Sequence, residues 1–170
     1  MFPAILLIVA YQVFMISIHS SATATVKIYS RIAMSFATIA TMALLVCYFI
    51  QFSVVPISLM NGETDGIALL TQYNPHGIFI ALEELGYILM SLSFLFIAPV
   101  FNEKNRIQLS VKWIFIVSFI ISVLSFLLIS FKFGIRREYR FEIAIISIDW
   151  LVLIINGILA AVFFRRKLNS

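Results

Sequence analysis

Residues 113–133 read WIFIVSFIISVLSFLLISFKF, a run whose only charge, Lys132, stands one place from its end. A helix over this run is ~30 Å long at 1.5 Å per residue, which matches the hydrocarbon thickness of a bilayer, so the run reads as a transmembrane helix. Working outward, four more apolar runs lie at residues 3–20, 32–54, 75–100 and 141–164. Each is long enough to cross, the first only barely. Three of the connections carry breakers or charges: Asn61-Gly-Glu-Thr-Asp-Gly66, Asn102-Glu-Lys-Asn-Arg106 and Gly134-Ile-Arg-Arg-Glu-Tyr-Arg140. The expected fold is all-α, a polytopic transmembrane helical bundle of five spans forming a single domain over residues 1–170.

Composition agrees. Of 170 residues 62% are hydrophobic and 12% charged, with mean hydropathy +1.08. A soluble domain carries about a quarter charged residues and at most half apolar ones, so the lipid bilayer is the first partner to expect. The basic residues are scattered between apolar runs and build no basic face, which argues against nucleic acid. Cys47 is the only cysteine, so one chain can form no disulfide and the residue reads as a small buried hydrophobe.

Orientation follows from Lys and Arg, which resist translocation. Lys27, Arg31, Lys104, Arg106, Lys112 and Arg165-Arg-Lys167 fall on one side and outnumber Lys132, Arg136, Arg137 and Arg140 on the other. This predicts an amino terminus outside and a carboxyl terminus in the cytoplasm, in a cell (inner) membrane, with the basic fourth loop standing against it. Met1 and Phe2 enter apolar sequence with no charged leader, and the first run is short. Two readings follow: an upstream helix that would make six spans, or a complete but frayed first helix.

The informative residues are the polar ones within the runs. Asn74 is placed to cap the third span and Pro75 to open it, which sets Glu83 and Glu84 ~12 Å deep. Asp149 in the fifth span and Gln12 in the first are at similar depth when counted from Phe141 and Pro3, as are Tyr48 and Ser125 on the even spans. The expected layer at one level is therefore Gln12, Tyr48, Glu83 or Glu84, Ser125 and Asp149, and the expected ligand- or ion-binding residues are Glu83, Glu84 and Asp149, with Gln12, Tyr48 and Asn156 completing the site. Glu142, Asp149 and Asn156 recur every seven residues along one stripe. Glu142 itself reads as an interfacial partner of Arg140 or Lys132. Ser118, Ser122 and Ser125 read as a packing stripe, and His19 and His76 as interfacial.

Energetics forbids treating the acids as incidental. The third run has about a dozen Leu, Ile, Phe and Val, each contributing roughly −0.3 to −0.6 kcal/mol to insertion, against roughly +2.5 to +3.5 for each acidic group. These nearly cancel. Such a helix must turn its carboxylates toward protein or water, where they either bind a cation, proton or polar ligand, or bond to neighbouring helices. The 20-residue connection before the third span, with apolar patches at residues 56–60 and 67–70 around an acidic turn, reads as an interfacial segment or lid over the layer.

Catalytic patterns are missing. An adjacent Glu pair on a membrane helix is shared with intramembrane proteases of the Glu-Glu-x-x-x-Arg type, but Ile88 occupies the arginine position and no span holds a deep histidine. No pattern for a metal, haem or nucleotide cofactor is present, and no catalytic residue is assigned. Residues 61–66, Thr71-Gln-Tyr-Asn-Pro-His-Gly77, Ala81-Leu-Glu-Glu-Leu-Gly-Tyr87 and Ile146-Ser-Ile-Asp-Trp150 resemble a group of small prokaryotic multi-pass membrane proteins of no assigned activity. That resemblance implies a helix before Pro3 and brings no activity, cofactor or catalytic residue with it. The leading expectation is a small transport-like or ligand-binding bundle that takes a cation or proton and forms homo-oligomers. The alternatives are an accessory protein whose polar layer sets packing, and a membrane enzyme acting on a lipid-like substrate with Glu as general acid.

Overall fold

The computed structural model describes residues 1–101 and 105–168, without the side chains of residues 163, 164 and 166–168. Among the described residues the regular elements are all helical: α1 (Phe2–Ser20), α2 (Lys27–Ser53), α3 (Val55–Met60), α4 (Ile67–Leu70), α5 (Ile78–Ile97), α6 (Arg106–Phe133) and α7 (Arg140–Leu168), with short 3-10 turns after α5 and α6. Five segments are long and apolar enough to cross a bilayer: Phe2–Ser20, Lys27–Met60, Ile78–Val100, Arg106–Arg136 and Arg140–Val162. The chain is an all-α, multi-pass membrane protein. Of the connection expected at Asn102–Arg106, residues 102–104 lie outside the described residues, as do the side chains of Arg166 and Lys167 among the counted charges.

Helices outrun the apolar runs at their polar ends. The helix α6 begins seven residues before Trp113, where Asn105 caps it by accepting from the Ile107 N–H at 3.0 Å. The start of α5 differs in the other direction, at Ile78 and not Pro75. Asn74 does not cap the helix. It holds the preceding turn, with Oδ1 accepting from the His76 N–H at 3.0 Å and Nδ2 donating to the Ala68 carbonyl at 2.8 Å. A Cβ on Gly77 would lie 2.8 Å from the Leu69 carbonyl oxygen, so this turn is pressed against α4 and the helix starts only beyond it.

Helix α5 is the central element: 56% of its spanning window is buried, against 17–33% for the other spans. Lipid tails are as apolar as leucine, so burial inside a membrane bundle reflects close fit more than hydrophobicity. The most extensive contact is between α2 and α5. Small residues Ala33, Ala37 and Ala40 make a fully buried stripe on α2, and Gly86 on α5 receives Leu44, whose Cγ would stand 2.5 Å from any Cβ there. Helix α1 packs on α2, and α6 and α7 pack on each other and on α5. The outer face of α6 leaves Ile120, Leu124, Leu127 and Leu128 exposed, as a surface turned to acyl chains would be.

Candidate functional site

Helix α6 returns the chain between α5 and α7, so those two run in the same direction and their polar stripes align. On α5 the stripe is Glu83, Glu84, Tyr87 and Ser91, spaced by three and four; on α7 it is Glu142, Asp149 and Asn156, spaced by two turns. All but Glu142, which is half-buried, are buried.

The first tier forms near the starts of both helices. The Tyr48 hydroxyl on α2 donates to Glu83 Oε1, and Glu142 comes within hydrogen-bonding range of the same carboxyl. Glu142 Oε2 is buried with no donor on it among the described residues. Two ionised carboxylates only accept, so this pair bonds only when one proton, or a cation, lies between them. The Tyr48 and Tyr87 hydroxyls are 3.2 Å apart, and Trp150 Nε1 donates to Tyr87 at 2.9 Å. Glu84 points elsewhere: Arg137 Nη2 is 2.5 Å from its Oε2, and the guanidinium lies over the rings of Phe126 (5.1 Å) and Phe141 (5.7 Å).

The second tier lies deeper. Asp149 is 0% exposed; its Oδ1 accepts from Ser91 Oγ at 2.7 Å, and Ser91 also meets Ser122 Oγ at 3.0 Å. No donor reaches Asp149 Oδ2 among the described residues. Asn156, also 0% exposed, has neither side-chain atom partnered there. Gln12 belongs to a different contact: its Nε2 donates to Thr38 Oγ1 at 3.2 Å and its Oε1 accepts from Thr41 Oγ1 at 3.0 Å, pinning α1 to α2.

The single layer expected from depth counting is therefore two tiers. Asp149 meets Ser91, which follows Glu83 by eight residues, or ~12 Å along α5. Counting from Pro75, three residues before the observed start at Ile78, sets Glu83 too deep relative to Asp149. The expected pairing of Glu142 is also corrected. Arg140 pairs with Glu138 at 3.4 Å and Lys132 lies 5.3 Å over the Phe133 ring, which leaves Glu142 to Glu83. Ser125 is half-buried, and Ser122 takes the place expected for it in the polar contact; Ser118 donates to the Phe115 carbonyl, a packing role.

Two clefts open at the end of the bundle where α5 and α7 start. One, of ≈520 Å³, reaches Tyr48, Glu83 and Glu142 beneath Gln72 and Tyr73. The other, of ≈390 Å³, reaches Glu84 and Arg137. Gln51 fastens the roof: its Nε2 donates to the Leu70 carbonyl at 2.5 Å and its Oε1 accepts from the Gln72 N–H at 3.1 Å.

The sequence reading missed Arg137 and Glu142 as members of the site. The seven-residue spacing through Glu142 was a usable signal, since it places that acid on the same stripe as Asp149. Nothing local marks Arg137, whose partner is 53 residues away. Among the described residues no group of three or more His, Cys, Asp or Glu is arranged to hold a metal ion. No protein family, curated protein or solved structure matches this chain.

Proposed function

We propose that the chain is one membrane domain that takes up a proton or a small cation at the Glu83–Glu142 pair, from the face where α5 and α7 begin. The observation that carries this reading is the pair itself: two acids from different helices within hydrogen-bonding range, both on the wall of a ≈520 Å³ cleft, with Tyr48 donating to Glu83. Two like charges ~4 Å apart repel by about 4 kcal/mol at an effective dielectric of about 20, so a proton or cation between them removes a large penalty. Asp149 and Asn156 supply a deeper polar station in this reading. Arg137 holds Glu84 as a fixed ion pair, and Gln12 serves α1–α2 packing and not the ligand.

On the charge count, the amino terminus is outside and the cleft opens to the outer face of a cell membrane. A prokaryotic source and assembly into homo-oligomers belong to the same proposal, the first on the quoted motifs and the second on the narrowness of a five-helix bundle.

The test is flux in proteoliposomes. Proton or monovalent-cation movement by the parent should disappear in Glu83→Gln and Glu142→Gln, and fall in Asp149→Asn, while all three stay folded. A parent that moves none of these ions would overturn the transport reading. The second reading, a polar core that only sets helix packing, is favoured by the Ser122–Ser91–Asp149 and Thr38–Gln12–Thr41 contacts. It predicts equal loss of stability across the variants and no flux in the parent.

A further inference from the structure

Apart from the paired acids, two cavities are stacked along the seam between α5 and α6. The upper is the ≈390 Å³ cleft, walled by His76, Ala81, Glu84, Ser130, Arg137 and Glu138 among others. The lower, ≈170 Å³, is walled mainly by Ile88, Phe119, Val123, Phe126 and Ile145, with the Ser91 and Ser122 hydroxyls already engaged. Ile88 follows Glu84 by one turn, and Phe126 precedes Ser130 by one turn, so the two cavities are ~6 Å apart along the bilayer normal. Two residues on the wall of the lower cavity, Ile88 and Val123, are 36% and 40% exposed on the apolar surface of the bundle.

The boundary between them is Arg137. Its guanidinium rests on Phe126 and Phe141, both of which wall the lower cavity, while its Nη2 faces the upper one through Glu84. The upper cleft thus offers both signs of charge at one level: the Arg137 cation beside the Glu84 and Glu138 carboxylates. Ser130 Oγ, also on its wall, is buried and without a partner among the described residues. Glu138 is held there by a backbone φ of +46°, a left-handed conformation that few side-chain-bearing residues adopt.

We infer that this seam binds a zwitterionic phospholipid with a primary ammonium, the phosphoethanolamine head in the upper cleft and one acyl chain in the lower cavity. The guanidinium matches a phosphate in bidentate geometry, and a primary ammonium brings three donors for the carboxylates and the hydroxyl. A purely anionic head would set its charge against Glu84 and Glu138. A trimethylammonium head has no N–H to give them.

The experiment uses the full chain purified in detergent, with lipid retention read by native mass spectrometry and thermal midpoint read in parallel. Phosphatidylethanolamine, phosphatidylcholine and phosphatidylglycerol are added separately, with glycerophosphoethanolamine as a head without chains. Retention of phosphatidylethanolamine should exceed the other two lipids by about tenfold, equivalent to ~1.4 kcal/mol, and should raise the midpoint. Ala81→Trp, which fills the upper cleft, and Val123→Trp, which fills the lower cavity, should each abolish that preference and leave the lipid-free midpoint unchanged. Should Ala81→Trp lower the lipid-free midpoint, the exposed Val123→Trp alone decides. Equal retention of the three lipids, or an unaltered preference in the deciding variant, overturns the inference. A full midpoint shift from glycerophosphoethanolamine also overturns it, because the acyl chain then contributes nothing.

Discussion

Arg137, in the turn between α6 and α7, reaches back to Glu84 on α5 with 2.5 Å between Nη2 and Oε2. This contact separates two neighbours in sequence into different chemical situations. Glu84 has a permanent cation, whereas Glu83 has a hydroxyl and a second acid. In the proposed function, it is the second situation that takes the exchangeable proton or cation.

The Glu84–Arg137 pair is open to a strong mutational test. Removing one partner of a poorly solvated pair leaves the other charge stranded, and the Arg137 side chain is only partly exposed. Arg137→Gln should lower stability by about 1–3 kcal/mol, discounted from the fully buried case. Glu84→Gln in the same chain should recover most of the loss. Unfolding of the four proteins of this cycle in detergent measures the coupling, and a coupling near zero would show the pair to be incidental.

Gly86 should tolerate no side chain. Any Cβ would stand 2.5 Å from Leu44 Cγ in the most extensive helix contact of the bundle. Overpacking of this kind costs about 1–3 kcal/mol, so Gly86→Ala should lower the unfolding midpoint. Adding Leu44→Ala should restore part of it. An unchanged midpoint in the single variant would mean that α2 and α5 separate easily.

Asn156 is expected to lower stability and to serve uptake. A buried amide with no partner costs about 1–3 kcal/mol, so Asn156→Leu should raise stability by up to that amount. Ion flux through the deeper tier should fall at the same time. A loss of stability would instead reveal a bonding partner for this side chain.

The turn at Glu138 carries a smaller, separable penalty. Its left-handed backbone costs a side-chain-bearing residue about 1–2 kcal/mol, and its ion pair with Arg140 is well solvated and worth little. Glu138→Gly should therefore raise the unfolding midpoint. A fall would assign the carboxylate a larger structural part than its exposure implies.

Much of this architecture was legible in the sequence, because span length and composition are one-dimensional properties. The five apolar runs, the buried acids of α5 and the stripe on α7 could be found by counting. What could not be counted was helix tilt and rotation. The late start of α5 makes Glu83 shallower than counting from Pro75 gives, and it is Ser91, and not Glu83, that stands opposite Asp149. Charge in a short loop carries no label for its partner either. Arg137 and Glu142 look like ordinary interfacial residues until the fold brings one to Glu84 and the other to Glu83.

The shared position between Glu83 and Glu142 is most directly tested by infrared difference spectroscopy of the purified protein at neutral pH, on exchange from proton-only buffer into buffer with a small monovalent cation. A protonated-carboxyl band should be present and should vanish in both Glu83→Gln and Glu142→Gln, because each substitution removes one half of the same pair. A band that survives unchanged in both variants would contradict the account, since the proton would then reside elsewhere.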